Sequence, residues 1–179
     1  MSSFILCGAA KAQVRVAIER GWDVKSFRKA VNGEKKIRAV NSETGRSHLH
    51  TAAAYNRALH IPVLMEHLAS MLTKRDSEGL TPIEISMLNG NLGAFMALVP
   101  YYNIQKYRTA NKYHWSLAHW AARFDQPAML RELGVRGIDI NALDTSKEPW
   151  TPLDLANAYN AQAAADVIRA LGGVSAKGL

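Results

Sequence analysis

The chain has six histidines and one cysteine to offer as bases, nucleophiles or metal ligands. His48 and His50 stand two residues apart, a spacing that does not share a helical face. His60 and His67 are too far apart for the i, i+4 pair that holds zinc on one helix, and the His-Glu-x-x-His run is absent. Cys7 is the sole cysteine, which excludes an intrachain disulfide and a cysteine-rich zinc motif. As a nucleophile it needs a base beside it, and nothing local supplies one, so Cys7 reads as a small buried residue. The sequence carries no Gly-rich phosphate loop, no Gly-x-Ser-x-Gly and no Asp-rich metal loop. The expectation is a protein that is not an enzyme and needs no cofactor or metal.

The elements that carry these histidines repeat. Asp76-Ser-Glu-Gly-Leu-Thr-Pro-Ile-Glu-Ile-Ser-Met-Leu-Asn-Gly-Asn91 opens as Asp-x-x-Gly-x-Thr-Pro and runs into a short apolar helix pattern that stops at Asn89-Gly90. Ser47-His-Leu-His-Thr-Ala-Ala53 lies 34 positions earlier, Ser116-Leu-Ala-His-Trp-Ala-Ala122 lies 35 later, and Thr151-Pro-Leu-Asp-Leu-Ala156 lies 35 beyond that. Each motif residue has a physical reason. Ser47, Thr81, Ser116 and Thr151 are N-cap candidates. Proline in the first turn gives up an N–H that has no partner inside the helix. Ala52-Ala53 and Ala121-Ala122 permit close approach of neighbouring helices. Gly90 and Gly137 can take the left-handed conformation that ends a helix.

These lines resemble the ankyrin repeat, whose signature is Thr-Pro-Leu-His-x-Ala on a period of about 33 residues. Gly137-Ile-Asp-Ile-Asn-Ala142 is similar to the family's Gly-Ala-Asp-Val-Asn-Ala ending, and Gly172 falls 21 residues after Thr151, as Gly137 does after Ser116. The sequence departs from the pattern where His48 and Leu117 replace the proline, and where Glu84 and Asp154 replace the histidine. The resemblance implies an all-α solenoid of about four helix-turn-helix segments, 41–74, 75–109, 110–143 and 144–173, each stabilised by stacking on its neighbours. Residues 1–40 are expected to form a capping helix (Ala9 to Arg20) and a basic insertion, and 174–179 a frayed tail. The insertion reads either as a helix over Ser26 to Val31 or as a hairpin turning at Asn32-Gly33. The second helix of the first segment is expected to begin near Pro62. His50 and His119 hold the family's histidine position, where buried polar groups find backbone partners in an adjacent turn.

Hydrophobic residues at 48% and charged residues at 21% describe a globular domain. No apolar run approaches the length of a membrane span, and Ser2 to Ala10 lacks the basic start of a secretory leader. An intracellular protein is expected, cytoplasmic or nuclear. Short ankyrin proteins also occur among effectors delivered into host cells. The net charge of +7 favours acidic partners. Seven basic residues between Lys25 and Arg46 stand against Glu34 and Glu43 and supply a net +5 of that excess.

In an ankyrin stack the turn fingers and the ends of the first helices line the concave face. Carried onto this sequence, the resemblance implies a partner-binding surface of Arg46, Tyr55, Leu80, Lys112, Tyr113, Trp115, Arg123, Phe124, Lys147, Trp150 and Tyr159. Trp, Tyr and Arg are the usual anchors of protein interfaces. Trp120, inside a first helix, reads as core. The expected function is recognition of another protein by a monomer. The alternative is an acidic surface, nucleic acid or anionic lipid, held by the segment 25–46. Only Phe27 interleaves that basic run, which argues against single-stranded nucleic acid.

Overall fold

A computed structural model describes residues 13–109 and 114–179. Cys7, Lys112, Tyr113 and the first part of the Ala9–Arg20 helix lie outside the described residues. Among the described residues there are ten α-helices, three short 3-10 helices and no strand. The chain divides into two compact units, Met1–Leu98 and Val99–Leu179.

The first unit holds α1 (Gln13–Arg20), α2 (Val24–Gly33), α3 (His48–Ala54), α4 (His60–Leu68), α5 (Pro82–Leu88) and α6 (Leu92–Leu98). Each odd helix packs on the even helix that follows it. Within the same unit α1, α3 and α5 pack side by side, as do α2, α4 and α6. The run 25–46, read as an insertion, therefore begins with the second helix of the first pair. Asp23 caps α2 by accepting from the Ser26 amide at 3.0 Å, and Phe27, Ala30 and Val31 bury one face at i, i+3, i+4 spacing. That helical period, with its cap, prevails over the Asn-Gly turn signal. The α4 helix starts at His60, two residues before Pro62.

The second unit holds α7 (Leu117–Arg123), α8 (Pro127–Val135), α9 (Pro152–Ala158) and α10 (Gln162–Ala170), with 3-10 turns at Val99–Tyr101 and Ala176–Gly178. It is likewise built from two helix pairs, α7 with α8 and α9 with α10, packed α7 on α9 and α8 on α10. Residues 174–179 are tied to the start of α9. The Thr151 hydroxyl donates to the Val174 carbonyl at 2.8 Å, and the Ala176 amide to Asp154 at 2.9 Å.

One device starts α3, α5, α7 and α9. Ser47, Thr81, Ser116 and Thr151 are the N-caps, and His50, Glu84, His119 and Asp154 three residues on reach back to the cap's own amide. Glu84 and Asp154 thus fill the capping role that His50 and His119 fill at the other two starts. Ala52, Ala53, Ala121 and Ala122 are fully buried, as small contact residues should be.

The helix ends repeat too. Asn56, Gly90, Asp125 and Asn160 close α3, α5, α7 and α9 with φ of 53°, 66°, 48° and 55°. Asn56 and Asp125 make use of the turn, for their side chains accept the amides of Ala94 and Ala164 at 2.8 and 2.7 Å. Gly137 closes α8 at φ 71°, and a Cβ there would meet nothing within 4 Å. Backbone strain alone then sets the effect of Gly137→Val. The expected loss is about 1 kcal/mol or more, read from a denaturant melt.

Candidate functional site: an aromatic groove in the second unit

The groove is organised from Asp144, on the loop that leads into α9. Its Oδ1 accepts the Ser146 amide at 3.1 Å, the Ser146 hydroxyl at 2.6 Å and the Trp150 amide at 3.1 Å. Its Oδ2 accepts the indole N–H of Trp115 at 3.3 Å. Burial opposes the Asp144 charge, but the bonds from Ser146, Trp150 and Trp115 outweigh it and hold the carboxyl below its usual pKa. One carboxylate thereby shapes the loop and fixes a tryptophan from a neighbouring turn.

His119 supports the same loop from inside. Its Nδ1 accepts the Ser116 amide at 3.3 Å and sits 2.8 Å from the Ser116 hydroxyl. This assigns the proton to Nε2, which donates to the Trp150 carbonyl at 2.9 Å. His50 makes the equivalent bond in the first unit, to the Leu80 carbonyl at 3.1 Å. Both histidines bond to backbone in the turn of the following segment.

Burial lowers the pKa of His119, His50, His48 and His60 below the ordinary value of 6.5. A depressed folded-state pKa gives stability that is present above the unfolded value and lost as pH falls toward the folded one. The melting temperature is therefore expected to hold from pH 8 to 7 and to fall from about pH 6.5 downward, before carboxylates titrate near pH 4. His119→Gln should make that fall shallower in thermal melts across this range.

The walls are aromatic. Trp115, Trp150, Tyr159 and Leu155 line a groove of about 420 Å³, with Asp144, Ser146, Lys147 and Glu148 along the loop side. Trp150 and Tyr159 are 38% and 48% exposed. Behind them Trp115 meets Trp120 edge-on, with ring centroids 6.1 Å apart, and Trp120 meets Phe124 at 5.2 Å. The Arg123 guanidinium lies 3.7 Å from the centre of the Tyr159 ring and 5.1 Å from that of Phe124. Stacking on a cation pre-orders the tyrosine without covering both of its faces.

Trp115, Lys147, Trp150 and Tyr159 thus come together around one groove, and Arg123 and Phe124 buttress it. Trp120 is buried at 8% exposure, as expected of core. Arg46, Tyr55 and Leu80 belong to the first unit. Arg46 is held by Asp76 at 2.9 Å and Glu78 at 3.6 Å, and lines with Tyr55 a separate cavity. Leu80 is half-buried. Sequence reasoning missed Asp144 and Leu155. The signal for Asp144 was the Asp-x-x-Gly opening at Asp76, which takes the amides of Glu78 and Leu80 in the same manner.

The basic segment is partly neutralised. Arg28 pairs with Glu66 at 2.5 Å, Arg38 reaches the His67 carbonyl at 3.4 Å, and Arg46 is paired as above. Lys25, Lys29, Lys35 and Lys36 are exposed and make no ion pair among the described residues. No group of three His, Cys, Asp or Glu among the described residues is placed to hold a metal ion. No described helix is long and apolar enough to cross a membrane. No protein-family model matches the chain, and no curated protein matches it.

Proposed function

We propose that the chain is an ankyrin-type binding module that recognises another protein through the aromatic groove of its second unit, without catalysis. One observation carries this reading. Two tryptophans and a tyrosine stand partly exposed around one groove, and each is fixed from behind: Trp115 by Asp144, the Trp150 backbone by Asp144 and His119, and Tyr159 by Arg123. Rigid aromatic side chains offer large contact area at low entropic cost, which is what interface anchors require. The four-segment sequence period and the repeated capping boxes support the ankyrin assignment. An intracellular setting, in a cell or in a host, fits a chain with one cysteine.

The basic segment is the second reading, supported by its four exposed lysines that make no ion pair among the described residues. Selection from a peptide-display library against the immobilised protein separates the two. Ligands of the groove should lose binding to Trp150→Ala and tolerate Lys35→Ala with Lys36→Ala. Ligands of the basic segment should do the reverse and weaken steeply with salt.

A further inference from the structure

Arg46, Arg57, Arg75 and Arg123 are the half-buried arginines among the described residues. Three of them spend guanidinium N–H groups on fixed acceptors. Arg46 donates to Asp76 at 2.9 Å, Arg57 to the Ile18 carbonyl at 2.7 Å, and Arg75 to the Gly79 carbonyl at 2.7 Å. Arg123, the last residue of α7, makes no side-chain hydrogen bond or ion pair among the described residues.

Its guanidinium lies instead over two rings, 3.7 Å from the centre of Tyr159 and 5.1 Å from that of Phe124. The acids of the same unit that stand nearest in the site are committed elsewhere. Asp125 accepts the Ala164 amide at 2.7 Å, and both oxygens of Asp144 are bonded. An arginine held by ring faces keeps its planar fork of donors for a ligand. The rings also restrict its rotamers in advance, which lowers the entropic cost of closing that fork on an acceptor.

We infer that Arg123 receives a carboxylate of the protein partner, an Asp or Glu side chain that flanks the apolar anchor seated in the aromatic groove. Tyr159 joins the two places, since its ring carries Arg123 and borders the groove. The charges fit this occupant. Lys147 and Glu148 on the loop side of the groove offset one another, so Arg123 supplies the unmatched positive charge. The net charge of +7 has the sign that draws an acidic partner toward it. One guanidinium balances a singly charged carboxylate through two parallel N–H···O bonds, whereas a phosphate dianion calls for a second cation beside it. The inference rests on the groove being the interface and adds which charge the partner brings to it.

The test is a titration of the full chain with acetyl-Glu-Trp-Glu amide and its neutral counterpart acetyl-Gln-Trp-Gln amide, followed by indole and backbone amide shifts. The tryptophan supplies the anchor, and the flanking residues place a carboxylate on either side of it. The Glu peptide should bind about fivefold tighter or more. Arg123→Gln should bring the ratio of the two affinities to about one, and taking a ratio cancels any change the variant makes to the groove itself. Lys35→Ala with Lys36→Ala should leave the ratio in place, because those charges lie in the first unit. Equal affinities in the parent overturn the inference, as do a preference that survives Arg123→Gln, a preference lost with the two lysines, or no saturable binding of either peptide. Trp150→Ala should weaken both peptides alike. If it changes neither affinity, the groove reading fails and takes the inference with it. If both peptides bind equally and need Trp150, the groove stands and only the inference fails.

Discussion

Trp150→Ala is expected to weaken the partner complex by more than about tenfold while the fold persists, because truncating a central aromatic anchor costs about 2 kcal/mol or more. The residue is 38% exposed, and its backbone amide and carbonyl carry the structural bonds, to Asp144 and His119. The substitution removes the indole and leaves those bonds in place. Trp115→Ala should weaken the complex to a similar degree, but with a cost in stability. Its indole donates to Asp144 and packs on Trp120, so the groove loses a wall and the loop loses a bond. Calorimetric titration of a selected ligand, beside a thermal melt of each variant, reads both effects. A Trp150→Ala affinity within twofold of the parent would remove the indole from the interface.

His119→Ala is the substitution with the largest expected effect on stability. The residue is fully buried. Alanine forfeits the bond back to the Ser116 amide, leaves the Trp150 carbonyl with one donor fewer, and opens a cavity the size of an imidazole. The Trp150 carbonyl keeps the Asp144 amide as a donor, so the loss is that of the cap, about 1 kcal/mol, and of the packing around a fully buried side chain, about 2 kcal/mol or more, and a total of about 3 kcal/mol is expected. Urea denaturation gives the difference directly. A loss below 1 kcal/mol would mean that water or a shifted loop replaces the imidazole, and that the groove does not depend on it. The loss should also reach binding, since the Trp150 loop rests on this bond.

The helices were legible because capping and the apolar period coincide at four equivalent places, with proline in the first turn at two of them. Ser47, Thr81, Ser116 and Thr151 each announce a helix start, and each sits where a helix begins. Glu84 and Asp154 were harder to read. As letters they break the histidine pattern, yet a carboxylate can accept the cap amide as an imidazole nitrogen does. The helix α2 was ambiguous because Asn32-Gly33 is a strong local turn signal, and the Asp23 cap with the burial of Phe27, Ala30 and Val31 decides against it. Asp144 was illegible as a site residue because its loop to Thr151 is two residues longer than that from Asp76 to Thr81, which hides the correspondence. The pairing of Arg28 and Arg46 with Glu66 and Asp76 was also out of reach, since those partners lie 38 and 30 residues away along the chain. Without those pairs the segment looks more cationic than it is.

The indole N–H resonances of the four tryptophans test the central claim most directly. Trp115 and Trp150 border the groove, Trp120 lies behind it, and Trp22 belongs to the first unit. On titration with a selected protein ligand, the Trp150 and Trp115 signals should shift and saturate together, while Trp22 stays in place. If the tryptophan signals stay fixed while the backbone amides of residues 25–46 shift, the partner binds the basic segment and the aromatic groove is not the interface.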